Sequence, residues 1–220
     1  YAQALNEGLK NDHLSPRYTQ RELDAFRDRT YPDFYPDVDW WGEALRNHSL
    51  GQNANFSIQG GGDKVQYYAQ LNYLKDQGIL KPTNDNEDYS TQLKFSKLNI
   101  RTNLDIQATK TTKVQLSMLG NFSEHNRPGA QIDDIFTALY QVPSGVFPVK
   151  TKNEVRGGST IYSNNPIALI SGKGYARSQN RALYADMNIQ QDLSTLTPGL
   201  SASVRVRLDS DASYWDSNTR

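Results

Sequence analysis

The chain has 220 residues with 24 basic and 24 acidic side chains, and therefore no formal net charge. This balance offers no basic footprint for nucleic acid, and the absence of cysteine excludes disulfide scaffolds, thiolate metal sites and cysteine nucleophiles. The mean hydropathy is −0.74, and no stretch is apolar over the roughly 18 residues that a membrane helix requires. Membrane-spanning β-strands are not excluded by this, because each needs only about 10 residues in which polar and apolar side chains alternate.

Residues 1–52 have the character of helices joined by loops. Thr19 with Glu22 three positions later forms a capping-box pattern, which predicts a helix beginning after Thr19. Asp39 is placed to cap a second, short helix that runs through Leu45. We therefore predict a helical and loop segment ahead of the first strand.

Alternating polar and apolar residues predict three β-hairpins in the rest of the chain. The predicted strands are residues 53–59 and 65–74, two strands within 97–123, and residues 182–193 and 200–209. The hairpin turns hold about five or six residues, whereas the connections at 76–96 and 124–178 hold about twenty and about fifty-five. Within the longer connection, apolar residues at helical spacing predict a helix at 131–141.

The hairpin at 97–123, "KLNIRTNLDIQATKTTKVQLSMLGNFS", separates its side chains into two faces. One face carries Leu98, Ile100, Leu104 and Ile106. The opposite face and its counterpart in the last hairpin are rich in amides, Asp and Arg, and they include Asn99, Arg101, Asn103, Asp105, Arg205 and Arg207. Such a face suits a hydrated lumen in which side chains bond one another, so we predict that these six side chains face a lumen.

Two folds are compatible with this alternation. In a soluble β-sandwich the apolar faces pack together, whereas in a membrane barrel they face lipid. Long connections at one end of the strands and short turns at the other are typical of outer-membrane barrels, and strands of 10 to 12 residues cover roughly 25 Å of membrane. We therefore predict an all-β fold, an antiparallel transmembrane β-barrel segment. Six strands cannot enclose a hydrated lumen, so the segment is expected to belong to a larger barrel.

Specific residues carry a family resemblance over essentially the whole chain. The successive stretches "DWWGEAL", "NANFSIQGGGDKVQYYAQLNYLKDQGIL" and "LNIRTNLDIQATKTTKVQLSMLGNFSEHNRPG" closely resemble the barrel of SusC/RagA-type TonB-dependent transporters. The matching positions are Ser57, Gly60 and Gly61, then Tyr67 and Tyr68 through Gly78 and Ile79, then Arg101, Asn103, Leu104 and Asp105. The later "NRPG", "IFTALYQVPSGVFPV" and "NNPIALI" also match the pattern.

The resemblance implies a barrel of about 22 strands in the outer membrane of a Gram-negative bacterium of the Bacteroidota. It implies import of oligosaccharides or peptides together with a SusD-like surface lipoprotein, and coupling to TonB through an N-terminal plug region that we expect to lie outside this chain. Barrel strands would occupy 53–123 and 179–214. Extracellular segments would be residues 1–52, 76–96, 124–178 and 215–220, with short helices in the long loops, and the hairpin turns would be periplasmic.

The aromatic residues of the predicted loops are the candidates for substrate or partner contact, because exposed rings stack on sugars and on lid proteins. They are Tyr31, Tyr35, Trp40, Trp41, Tyr162 and Trp215. Packing within the loops is the alternative role for each of them. The residues predict no catalytic group, cofactor or metal site. A soluble β-rich carbohydrate-binding or adhesion module is the alternative function, and a β-rich glycosidase is a third.

Overall fold

A computed structural model describes residues 1–81 and 89–219. Over these residues it contains five helices and six strands, none of the helices being long and apolar enough to cross a membrane. In chain order the elements are α1 Ala2–Asn11, α2 Gln20–Asp28, α3 Trp40–Ala44, β1 Leu50–Gly61, β2 Val65–Gln77, β3 Lys94–Gln107, β4 Thr112–Pro128, α4 Ile132–Gln141, α5 Pro166–Gly172, β5 Tyr175–Asp192 and β6 Ser201–Asn218.

The strands form one antiparallel sheet in the order β1-β2-β3-β4-β5-β6, so every strand pairs with its neighbour in the chain. This confirms the predicted all-β antiparallel architecture. The sheet is open, with β1 and β6 at its edges. Turns at 62–64, 108–111 and 193–200 leave from one end, which we call the turn end. The connections at 78–93 and 129–174 leave from the other, which we call the long-connection end.

The strands extend further than the alternation of the sequence predicted. β5 and β6 are 18 residues each, and their pairing reaches Tyr175 opposite Asn218. Near this end charged residues take positions at which the alternation would place apolar ones, and Arg177 pairs with Asp216. The backbone hydrogen bonds between the two strands nevertheless continue. Residues 215–218 are therefore strand and not loop. The middle of the predicted connection at 76–96 lies outside the described residues.

Close backbone approach explains a glycine at each end of the sheet. Gly61 ends β1 with φ +144°, and a Cβ there would lie 2.3 Å from the carbonyl oxygen of Val65. Gly174 precedes β5 with φ +77°, and a Cβ there would lie 1.6 Å from the carbonyl oxygen of Asn218. Side chains rarely adopt such backbone conformations, so glycine allows the tight turn in the first case and the strand contact in the second.

The buried core lies outside the sheet. It is formed by α3, α4, α5 and the segments between them, which we call the helical layer, and it includes Trp40, Ile135, Phe147 and Ile170. In α4, Ile135, Ala138 and Leu139 face this core, whereas Tyr140 is 78% exposed. The amide of Asn165 accepts hydrogen bonds from the backbone N–H groups of the first turn of α5, so this side chain fixes where the helix begins.

Both predicted helix caps ahead of β1 are present. The Thr19 hydroxyl accepts from the Glu22 N–H, while the Thr19 N–H donates to the Glu22 carboxylate at 2.7 Å. Hydrogen bonds from the Thr19 backbone and hydroxyl lower the pKa of Glu22. Asp39 accepts from the N–H of Gly42 at 3.0 Å and begins α3. The remaining helix of this region, α1, carries no side-chain cap, and the sequence patterns did not single it out.

Candidate functional site

The register of the sheet aligns the apolar side chains of six strands into continuous rows. Because antiparallel partners point to the same side, each row crosses the sheet on one face, which we call the apolar face. From the turn end the rows are Val65–Ile106–Val114–Ile189–Val204; Tyr67–Leu104–Leu116–Met187–Val206; Ile58–Ala69–Thr102–Met118–Ala185–Leu208; Phe56–Leu71–Ile100–Gly120–Leu183; and Ala54–Tyr73–Leu98–Phe122–Arg181.

The described residues leave this apolar face uncovered. Phe56 is 65% exposed, Val206 54% and Ile100 46%, although such side chains are normally buried. The five rows span nine residues along a strand, or roughly 26 Å from the first row to the last. A continuous apolar patch of this size is far larger than those found on the surfaces of water-soluble monomers. The face therefore requires an apolar neighbour.

All six predicted lumen-facing residues lie together on the opposite face, which we call the polar face. Asn99, Arg101, Asn103 and Asp105 alternate along β3, while Arg205 and Arg207 lie on β6, with β4 and β5 between them. A shallow depression on this face is lined by Arg101, Tyr184, Asp186 and Arg207, among other residues. The structure thus brings together side chains that the sequence placed on separate hairpins.

Asparagine side chains form a ladder across the first three strands of the polar face. The Asn72 amide donates to Asn53 at 2.9 Å and to Asn55 at 2.5 Å, and it accepts from Asn99 at 3.2 Å. Each amide thereby satisfies part of its hydrogen-bonding capacity within the wall itself. The sequence contained this signal, since the register opposes asparagines on neighbouring strands, but the pairing had to be known first.

Charged groups of the polar face are interleaved and close to balance. Asp105 accepts from Gln115 at 3.0 Å, Asp186 lies 3.6 Å from the Arg205 guanidinium, and Asp209 accepts from Arg207 at 2.9 Å. Basic side chains on this face lie close to acidic ones, so the face carries no strong field of one sign. Among residues 1–81 and 89–219, no group of three or more His, Asp or Glu side chains is placed to hold a metal ion.

An aromatic row crosses the polar face at the long-connection end. Phe95, His125, Ser178 and Trp215 lie opposite one another on β3 to β6. The rings of Phe95 and His125 stack at 4.4 Å, and the guanidinium of Arg127 lies 5.8 Å from the Trp215 ring. Trp215 was predicted in a loop, but it belongs to β6 and is 60% exposed on the polar face. Sequence patterns missed Phe95 and His125, because only the register unites them.

The other aromatic candidates are distributed over the helical segments. Trp40 is only 3% exposed, and its indole N–H donates to the Pro143 carbonyl at 3.3 Å, so it is a core residue and offers no ring to a partner. Trp41 stacks edge-on against Tyr140 at 5.0 Å at the surface. The remaining candidates take separate positions: Tyr31 is exposed, Tyr35 packs on Phe26, and Tyr162 packs against the helical layer.

The chain was compared with known proteins in sequence and in fold. No protein-family model matches the chain. Over 82 residues, or 37% of the chain, the sequence is 33% identical to TonB-dependent receptor P26 of Formosa agariphila. In fold, 96% of the chain matches the RagAB peptide importer in its "closed-closed" state, with a TM-score of 0.61 at 14% sequence identity.

These two relatives are much longer than the matched region. The matched residues cover 7% of the length of receptor P26 and 25% of the RagAB chain. At 14% identity the second likeness shows the fold, a six-stranded antiparallel sheet of the kind found in that importer. The first likeness is one of sequence, and it associates the chain with TonB-dependent receptors.

Proposed function

We propose that this chain forms part of the wall of a TonB-dependent outer-membrane importer of the SusC/RagA type. One observation carries the proposal: an exposed apolar face of five rows lies back to back with a hydrogen-bonded polar face on the same six strands. A membrane barrel satisfies both faces, because lipid covers one and a hydrated lumen meets the other. The resemblance to receptor P26 and the fold of RagAB support the same class.

Further strands are needed to complete such a wall. Six strands are too few for a hydrated lumen, and the edges at β1 and β6 are not paired with each other in the described sheet. An unpaired edge of 18 residues, as in β6, is a strong site for adding another strand. In the proposed barrel of about 22 strands, these edges pair with neighbouring strands.

The cargo proposed for this wall is a polar, uncharged or zwitterionic oligomer. Amides, hydroxyls and balanced charges on the polar face favour such a molecule over a strongly ionic one. Oligosaccharides fit this description first and peptides second, and the exposed Trp215 ring is available for stacking on either. The surface pair of Trp41 and Tyr140 is the proposed contact for a SusD-like lipoprotein.

Membrane fractionation tests the proposed location. The protein is expected in the outer-membrane fraction and to require detergent for extraction. A soluble carbohydrate-binding or adhesion module would instead stay monomeric in buffer, and that result would reject the importer.

Growth on defined nutrients tests the proposed cargo. Deleting the gene is expected to slow growth on oligosaccharides that exceed the size limit of general porins, with growth on the corresponding monosaccharide as the matched control. A defect confined to peptide media would replace oligosaccharides with peptides. Equal growth of both strains on every oligomer would contradict import.

A further inference from the structure

Basic side chains border the apolar face at its long-connection end. Arg181 ends the fifth apolar row, Lys75 lies in the next row outward, and Lys94 and Arg177 lie in the row after that. All four point to the same side of the sheet as the apolar rows, because they keep the same alternation. We call them the basic border.

The basic border follows the sheet and does not gather at one point. Lys75 and Lys94 lie on neighbouring strands at diagonal positions, a separation of about 7 Å. Lys94 and Arg177 share a row with one strand between them, or about 10 Å. A line of cations along the rim of an apolar band matches a layer of headgroups better than a single small ligand.

The acidic groups of this region already have partners. Glu124 lies 3.8 Å from the Arg177 guanidinium and accepts from Gln179 at 3.0 Å. Asp216 accepts from the Tyr175 hydroxyl at 3.0 Å. Over the part of the chain that the structure describes, no carboxylate lies within ion-pairing distance of Lys75, Lys94 or Arg181. Three cations therefore stay available to an outside anion.

Arg181 shows how such a cation occupies the boundary. Its guanidinium lies 5.5 Å from the centre of the Phe122 ring in the same row, which is within the range of a cation–π contact. The Arg181 side chain remains exposed to solvent. Long basic side chains at an apolar boundary lay their stems along the apolar surface and keep their charge in the polar layer. The geometry of Arg181 is the one expected at the junction of lipid chains and headgroups.

The opposite end of the apolar face lacks this border. The paired row beyond the apolar rows at the turn end is Thr112–Gln191–Ala202, and Thr112 donates to Gln191 at 2.7 Å. Of the lysines at that end, Lys64 and Lys110 lie in the turns, and Lys113 lies on β4 but points to the polar face. The two boundaries of the apolar face therefore differ, because basic side chains lie at the long-connection end and uncharged ones at the turn end.

We propose that Lys75, Lys94 and Arg181 bind lipid-borne phosphate in the headgroup layer at the long-connection end. This inference rests on the proposed function, since it requires the apolar face to lie in a bilayer. Anionic headgroups attract Lys and Arg side chains that lie at the membrane surface, and each such side chain adds to the binding free energy. The attraction decays within a Debye length. A leaflet rich in phosphorylated lipid would thus hold the barrel at a fixed depth and orientation.

Lipid-dependent thermal unfolding of the whole protein tests this proposal. The delipidated protein in a neutral detergent is titrated with phosphatidylglycerol, with phosphatidylcholine, and with inorganic phosphate alone. Wild type is expected to be stabilised at lower concentrations of phosphatidylglycerol than of phosphatidylcholine. Replacing Lys75→Gln and Lys94→Gln together is expected to weaken the apparent affinity for phosphatidylglycerol at least about fivefold, and adding Arg181→Gln weakens it further.

A matched pair of lysines on the other face serves as the control. Lys97→Gln with Lys113→Gln removes the same charge from the polar face of β3 and β4 and is expected to leave the lipid affinity unchanged. The charge-conserving pair Lys75→Arg and Lys94→Arg is expected to retain it.

Three results would overturn the proposal. They are equal stabilisation by both lipids, an equal loss in both glutamine pairs, or inorganic phosphate acting as well as phosphatidylglycerol. Each of them leaves the importer intact, because membrane insertion is scored separately by flotation with phosphatidylcholine vesicles. Failure to float would reject the proposed function itself.

Discussion

Replacing Met118 with arginine perturbs the apolar face at its centre. Met118 lies in the third of the five rows, between Thr102 and Ala185, and these small neighbours leave room for a longer side chain. Either boundary of the band is two rows away, or about 13 Å along the strand, which is farther than an arginine extends. In a lipid-facing position the charge is expected to cost about 2–4 kcal/mol. That cost is a large share of a typical free energy of unfolding.

The adjacent residue provides the matched control. Leu119 is the next residue of β4 and points to the polar face opposite Arg101 and Tyr184. Leu119→Arg is expected to cost less than about 1 kcal/mol, because a charge there remains hydrated. Urea unfolding of the protein in phosphatidylcholine vesicles, followed by tryptophan fluorescence, measures both. If Met118→Arg costs no more than Leu119→Arg, the assignment of the two faces is wrong.

Three further predictions concern the polar face and the helical segments. Asn72→Ala is expected to cost about 1 kcal/mol or less in vesicle unfolding, because water replaces its ladder bonds in a hydrated lumen; a cost of several kcal/mol would indicate a dry environment. Trp40→Ala is expected to destabilise the helical layer by about 3–5 kcal/mol, measured as lost amide-exchange protection of α4, whereas Trp41→Ala at the surface has a much smaller effect, and equal losses would contradict the packing. The pKa of Glu22 is lowered in the folded state, so its stabilisation of α2 is present above the unfolded pKa and is lost as pH falls through the folded pKa. Amide exchange of α2 against pH should show this loss in wild type and not in Glu22→Gln.

The two faces of the sheet were predictable because period-two alternation is a local property. Leu98, Ile100 and Leu104 on one side of β3, with Asn99 and Arg101 on the other, follow from the sequence of one strand. The capping box at Thr19 and the cap at Asp39 were equally local. Antiparallel pairing within each hairpin followed because a short turn joins its two strands.

Features that depend on distant residues could not be predicted in the same way. Trp40 is buried by Phe147 and bonded to Pro143, more than a hundred positions along the chain. The ends of β5 and β6 were missed because apolar residues stop alternating with polar ones before the backbone hydrogen bonds between the strands end. In contrast, α5 carried a usable signal, since Asn165 followed by Pro166 is a typical helix start.

The fold and the basic border together describe a wall with three environments. Lipid would cover the apolar rows, water and cargo would meet the asparagine ladder, and headgroups would meet Lys75, Lys94 and Arg181. These environments depend on alternation and register, because a shift of one residue in any strand would move its apolar side chains to the polar face and its polar side chains to the apolar face.

Site-specific fluorescence quenching tests the central claim, which is that the two faces meet lipid and water respectively. The chain has no cysteine, so Ile100→Cys and Arg101→Cys each introduce one labelling site, on opposite faces of the same strand. In vesicles, the label at position 100 is expected to be quenched by a nitroxide attached to lipid chains and shielded from iodide. The label at position 101 is expected to show the reverse. Quenching of both labels by iodide alone, or no quenching by the lipid nitroxide at position 100, would contradict a membrane wall.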